Sequence, residues 1–235
     1  MITQTHRTCK TVLAVGGLIA SSLAFSNETN PNLPPCRISP LVVDVSADGF
    51  NLGDAGIGVY FDVNADGRLD HVQWVRPGED EAFLVADFNF NGIVDDGSEL
   101  FGQGTTIVAD GSVAPNGFVA LAQYDGPSLG GNDDGLITSA DAIWSSLHLW
   151  RDINADGIST LEEMSTPEEA GLSSFETIPR RSRYADHAGN LFTFWAWSTR
   201  TSPPRRTPMV DVFFLVLPDS RGACLSRPDT EATES

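Results

Sequence analysis

Five times between Asp44 and Glu163 the chain sets oxygen-bearing side chains at alternate positions and then turns on a glycine. The runs are Asp44-Val45-Ser46-Ala47-Asp48-Gly49, Asp62-Val63-Asn64-Ala65-Asp66-Gly67, Asp87-Phe88-Asn89-Phe90-Asn91-Gly92, Asn132-Asp133-Asp134-Gly135 and Asp152-Ile153-Asn154-Ala155-Asp156-Gly157. Alternate side chains of a tightly curled segment can all point at one centre, and glycine permits the sharp turn. The chain is therefore read as an array of loops joined by short elements.

Oxygen-only ligands around one centre suit calcium rather than zinc or copper. Calcium takes six to eight oxygens at about 2.3–2.6 Å, the grammar of an EF-hand-type loop. The most complete loop offers Asp152, Asn154, Asp156, the backbone carbonyl of Ile158 and a closing Glu163. A second offers Asp87, Asn89, Asn91, the Ile93 carbonyl, Asp95 and Glu99, with the closing Glu one place late. A third has Asp62, Asn64, Asp66, Arg68 at the carbonyl position and Asp70, but Gln73 is a poor closing residue. In the fourth, Asn132, Asp134, Leu136 and a closing Asp141 fit, while the first position falls on Gly130; Asp125 is the candidate substitute, reached through an insertion. The first run has Asp44, Ser46 and Asp48, but Ala55 at the closing position. That site is either weak or completed from elsewhere.

The formal net charge is −18, and between Asp44 and Glu169 stand 24 acids against three arginines. Such a field opposes nucleic acid and anionic membranes and favours cations. Bound cations would stabilise the fold by neutralising it. Residues 1–26 read as a secretory signal: Arg7 and Lys10, then an uncharged run from Thr11 to Phe25. That run is too short for a membrane span. Signal removal leaves Cys36 and Cys224, a pair that suggests a disulfide in an exported chain. The expected location is secreted or at a bacterial cell surface, extracellular or periplasmic, with no membrane span after signal removal.

The expected organisation is a signal (1–26), a Pro- and Asn-rich linker (27–39), a calcium-binding module (40–172), an antiparallel β segment (173–219) and a tail (220–235). Strands are expected near 40–43, 58–61, 71–75, 82–86, 147–150, 174–178, 191–199 and 209–217. Helices are expected over 118–124 and 139–146, with a short one from Thr166 capped by its hydroxyl and ended by Gly171. The fold class is accordingly read as α+β, with short strands and helices around the loops.

Pro40-Leu41-Val42-Val43-Asp44, Asp95-Asp96-Gly97-Ser98-Glu99-Leu100-Phe101-Gly102, Asn116-Gly117-Phe118 and Leu149-Trp150-Arg151-Asp152-Ile153-Asn154-Ala155-Asp156-Gly157 follow one another in a recognisable order. Over residues 38–172 the arrangement resembles the calcium-binding region of bacterial RTX-type secreted proteins, which includes the calcium-dependent self-processing module. The resemblance implies calcium loops at the positions above. Its self-processing members cut an Asp-Pro bond just before the first loop. Here that dipeptide is Ser39-Pro40. Serine has no carboxyl to attack its own peptide carbonyl, so that route is closed.

No Gly-x-Ser-x-Gly, His-Glu-x-x-His or phosphate-cradling loop is present, and no enzyme is expected. The expected function is a secreted calcium-binding protein whose loops stabilise a structural or interaction domain. Its expected partners are calcium ions and a protein or cell-surface partner. Two alternatives stand beside it: an autoproteolytic module with an altered cleavage site, and a dockerin-like docking module.

Overall fold

The protein is described by a computed structural model for residues 37–53 and 56–217. The expected signal, most of the linker, the tail, Ala55, Cys36 and Cys224 lie outside the described residues, and so does the expected disulfide. The described residues belong to one compact unit, Pro34–Ser235.

The α+β expectation is corrected. The chain is 39% strand and 9% helical, and its main sheet is a curled antiparallel half-barrel. In chain order the strands are β1 (Arg37–Ile38), β2 (Leu41–Asp44), β3 (Gly58–Phe61), β4 (Asp70–Gln73), β5 (Glu81–Ala86), β6 (Leu136–Ile137), β7 (Leu147–Trp150), β8 (Met164–Ser165), β9 (Leu172–Glu176), β10 (Arg180–Ala185), β11 (Leu191–Thr201) and β12 (Pro204–Leu215). Ten of them form one sheet along the path β6-β9-β11-β12-β2-β5-β7-β8, with β1 beside β12 and β10 beside β11. The strands β3 and β4 pair separately as a hairpin.

Among the described residues a single α-helix forms, α1 (Gly117–Ala122), capped by the Asn116 side chain, which accepts from the Val119 N–H. The segment expected to be helical over 139–146 is a tight 3-10 turn over Ala142–Ser146. The segment after Thr166 closes after one turn, with the Thr166 hydroxyl and the Glu169 carboxyl exchanging bonds with each other's backbone N–H. These segments are too short to repay helix nucleation, so packing decides their shape.

The sheet is buried on both faces. Leu41 and Val43 of β2, Ala82, Leu84 and Ala86 of β5, and Leu147 and Leu149 of β7 face α1 through Phe118 and Leu121. Val42, Phe83, Val85 and Trp150 face the β3–β4 hairpin through Val59, Phe61, Val72 and Trp74. This explains why 82–86 is a continuous apolar run rather than an alternating one: every residue of β5 is buried. The exposed, arginine-rich β10 gives no such periodicity and stands outside the strands expected from the sequence.

Candidate functional site

The five curls share one backbone. The residue after the second alternate side chain is left-handed in each: Ala47, Ala65, Phe90, Asp133 and Ala155, with φ between 54° and 60°. Among the described residues these are the non-glycine residues with positive φ. Gly49, Gly67, Gly92, Gly135 and Gly157 follow two places later, also at positive φ. An L-residue pays about 1–2 kcal/mol for that conformation. Five repetitions of the cost require a shared compensation.

Part of it is a common hydrogen-bond skeleton around the first carboxylate. Asp62 accepts the N–H groups of Asp66 and Gly67 at 3.0 and 2.7 Å. Asp87 does the same for Asn91 and Gly92, Asp152 for Asp156 and Gly157, and Asp44 for Asp48 and Gly49. In the fourth loop Asp125 fills this role, accepting Asp134 N at 3.1 Å and Gly135 N at 3.0 Å. The inserted residues fold back so closely that a Cβ on Gly131 would stand 2.1 Å from the Asp125 carbonyl oxygen.

The alternate side chains then cap the turn. Asn64, Asn89, Asn132 and Asn154 accept the N–H two residues on, as do Asp66, Asn91, Asp134 and Asp156 from Arg68, Ile93, Leu136 and Ile158. Asn64, Asn132 and Asn154 also turn their amides toward Asp66, Asp134 and Asp156, so these oxygens converge.

The closing residues brace the far side. Glu163 accepts Ile153 N with one oxygen and Thr160 N with the other. Glu99 accepts Asn89 N and Asp95 N, so its late placement in sequence does not displace it from the loop. Asp141 accepts Thr138 N through Oδ2, and its Oδ1 is buried without a hydrogen-bond partner. In the Asp62 loop, Gln73 gives its amide to the Ala188 carbonyl instead, while Asp70 is buried at the start of β4. Asp95, exposed, accepts the side-chain amides of Asn89 and Asn91.

Several contacts fall outside any single motif. Ser159 Oγ receives Val94 N at 2.7 Å and donates to the Val94 carbonyl, joining the Asp87 and Asp152 loops at equivalent positions. Gly97 N donates to the Asp62 carbonyl at 2.7 Å, joining the Asp62 and Asp87 loops. Beside Asp44 stand Asp80 and Glu81. In sequence Pro77-Gly78-Glu79-Asp80 reads as a turn, and Glu81 opens β5.

Burial pushes the carboxyls of Asp44, Asp62, Glu81, Glu99 and Asp152 above their ordinary range, against the pull of their backbone hydrogen bonds. Arg76 and Arg151 each aim a guanidinium nitrogen at a backbone carbonyl, of Leu52 and Glu79. The ion pairs of Arg180 and Arg206 go to Glu176, which stands opposite Leu136 of the fourth loop. Oxygen-rich centres with buried, partly desolvated carboxylates are suited to a hard divalent cation. Carboxylate oxygens of Asp44, Asp48 and Asp80 all lie within 4.8 Å of one another, a grouping able to hold a metal ion.

No helix among the described residues is long and apolar enough to cross a membrane. The sequence model of a family described as the SPM domain matches residues 41–215, most of the chain. The chain is also similar to the iron-regulated protein FrpA of Neisseria meningitidis serogroup C, with 41% identity over 139 residues. That match covers 58% of this chain and 12% of the FrpA length.

Proposed function

The chain belongs to the SPM domain family, and we propose that it is a secreted calcium-binding module whose loops lock an otherwise irregular β fold. The observation that carries this reading is the repeated loop skeleton: one carboxylate gathering two backbone N–H groups, side-chain oxygens at alternate positions, and a closing acid braced on the loop's own backbone. Calcium would be held by the loops that begin at Asp62, Asp87, Asp125 and Asp152. It would supply the positive charge that their buried carboxylates lack, and it would join segments distant in sequence. The RTX-type resemblance and the similarity to FrpA support the same reading.

The role is structural or interactive, with a protein or cell-surface partner, rather than catalytic. At the dipeptide before the first loop, Ser39 brings a hydroxyl where self-processing needs a carboxyl. Calorimetric calcium titration of the mature chain, paired with melting curves in chelator, tests the proposal. Several sites and a large loss of stability in chelator are expected. Absence of binding heat together with an unchanged melting temperature would overturn it. New fragments near Ser39 on adding calcium would favour self-processing instead.

A further inference from the structure

We propose that the outer edge of β10 takes an acidic peptide segment of a partner protein as an added β-strand, selected by Arg181 and Arg183. The inference rests on the interaction role proposed above and names the chemistry of the partner.

The open edge is the first indication. Among the described residues β10 (Arg180–Ala185) pairs with β11 alone, so its other side presents unpaired backbone N–H and C=O groups. All of its residues but Ser182 are exposed. Such an edge is a template for another strand. It is also preformed. The Arg180 guanidinium lies 5.1 Å from the centre of the Trp195 ring and that of Arg181 5.6 Å from the centre of the Phe194 ring. The Tyr184 ring meets Phe192 edge-on at 5.1 Å. These contacts tie both ends of β10 to β11, so little ordering remains to be done on binding. A register shift between Arg181 and Tyr184 marks a bulge, where the Tyr184 N–H turns to the Ser182 hydroxyl. The ladder on offer is therefore short, and side chains must select the partner.

The second indication is charge. The chain holds 32 acids against 14 basic residues, yet among the described residues Arg181 and Arg183 have no carboxylate partner. Arg180, by contrast, pairs with Glu176 at 2.9 Å. Arg180 and Arg181 lie on opposite faces of the strand, over Trp195 and Phe194. Guanidiniums thus flank the edge on both sides, and an incoming strand meets one whichever face its acids occupy.

Edge and charge together choose the occupant. A second copy of this edge would set arginine against arginine. A polysaccharide has no backbone to extend the ladder. A long polyanion is opposed by the net charge of −18. A short acidic peptide satisfies both the open edge and the unpaired arginines.

The test is fluorescence anisotropy with the full chain in saturating calcium. The probe is a labelled hexapeptide of alternating glutamate and valine. Its controls are the glutamine counterpart and a version N-methylated at alternate residues, which lacks ladder donors on one edge. The glutamate peptide is expected to bind at least about tenfold more tightly than either control. Arg181→Ser/Arg183→Ser alters exposed side chains only, and should weaken binding about tenfold while calcium titration and melting stay unchanged. Equal binding of the glutamate and glutamine peptides, equal binding of the N-methylated peptide, or unchanged binding by the double variant would overturn the inference. A dimer seen by sedimentation and lost in the double variant would assign the edge to a second copy and overturn it too. Absence of peptide binding in a chain that still titrates calcium overturns this inference and leaves the calcium reading intact. Peptide binding without calcium titration overturns that reading alone.

Discussion

The indole N–H of Trp74 donates to Asp152 Oδ2 across 2.7 Å, inside the core and 78 residues away in sequence. Trp74 belongs to the segment leaving the β3–β4 hairpin, and Asp152 opens the most regular loop. Fully buried Trp74 also packs on Phe83, Trp150 and Phe214 with ring centroids 4.5–5.9 Å apart. The aromatic core therefore fixes the first carboxylate of that loop directly.

Replacing Trp74 with Phe keeps most of the packing but removes that donor. The fold should lose about 1–3 kcal/mol, because a buried carboxylate oxygen loses a partner. Calcium affinity of the Asp152 loop should fall while the Asp87 loop keeps its own. Denaturant melts and calcium titration of Trp74→Phe check both; equal stability and an unchanged titration would contradict the positioning role.

Gly97 sits where the Asp62 and Asp87 loops touch. A Cβ there would lie 1.8 Å from the Val63 carbonyl oxygen, and the atom it meets is backbone. Gly97→Ala should therefore cost about 3 kcal/mol or more and weaken both loops together. The measurement is a melting curve in saturating calcium, where an unaffected midpoint would count against the close approach.

Phe90 holds φ at 60° while 86% exposed, so its ring contributes little burial against its backbone strain. Asparagine tolerates this conformation better than phenylalanine. Phe90→Asn should raise stability by about 1 kcal/mol without changing calcium stoichiometry. A lower melting temperature would mean that the ring packs more usefully than its exposure suggests.

Asp211 of β12 is fully buried and accepts the Gly117 N–H at the start of α1, 3.1 Å away. Burial pushes its carboxyl up to about 7, against the pull of Gly117 N–H and the Ser39 hydroxyl. The folded state thus keeps a proton that the unfolded chain has released. Stability from this group is present below pH 4 and is lost as pH rises from about 4 to 7, at about 1.4 kcal/mol per unit. Asp211→Asn keeps the acceptor for Gly117 and cannot ionise. It should gain on wild type as pH rises through that window and run parallel to it above. Melting curves from pH 4 to 8 would show this; a constant difference would refute it.

Much of the site was legible in the residues. The alternation of Asp and Asn with a following glycine is local, and it located all five curls. Even the substitute role of Asp125 was visible as a gap at Gly130. The fold class was not legible. Ser139 and Thr166 look like helix caps, and cap signals say nothing about how far a helix extends. The short segments after them close as single turns because the sheet, not the helix, buries their apolar neighbours. The strand Arg180–Ala185 is not legible either, because an exposed edge strand carries no apolar alternation.

The sequence by itself determined where backbone must curl and which oxygens face inward, because a left-handed residue, a glycine and alternate side chains act within six residues. It also determined the acidic character that makes cations the natural partners. Only the tertiary structure decided which loops touch, through Ser159 with Val94 and Gly97 with Asp62, and which carboxylates lie beyond reach of bulk water. It alone brought Asp80 and Glu81 to the loop at Asp44. The physical reason is range: loop geometry is set by neighbours in the chain, whereas strand pairing and burial are set by residues that meet only after the sheet has formed.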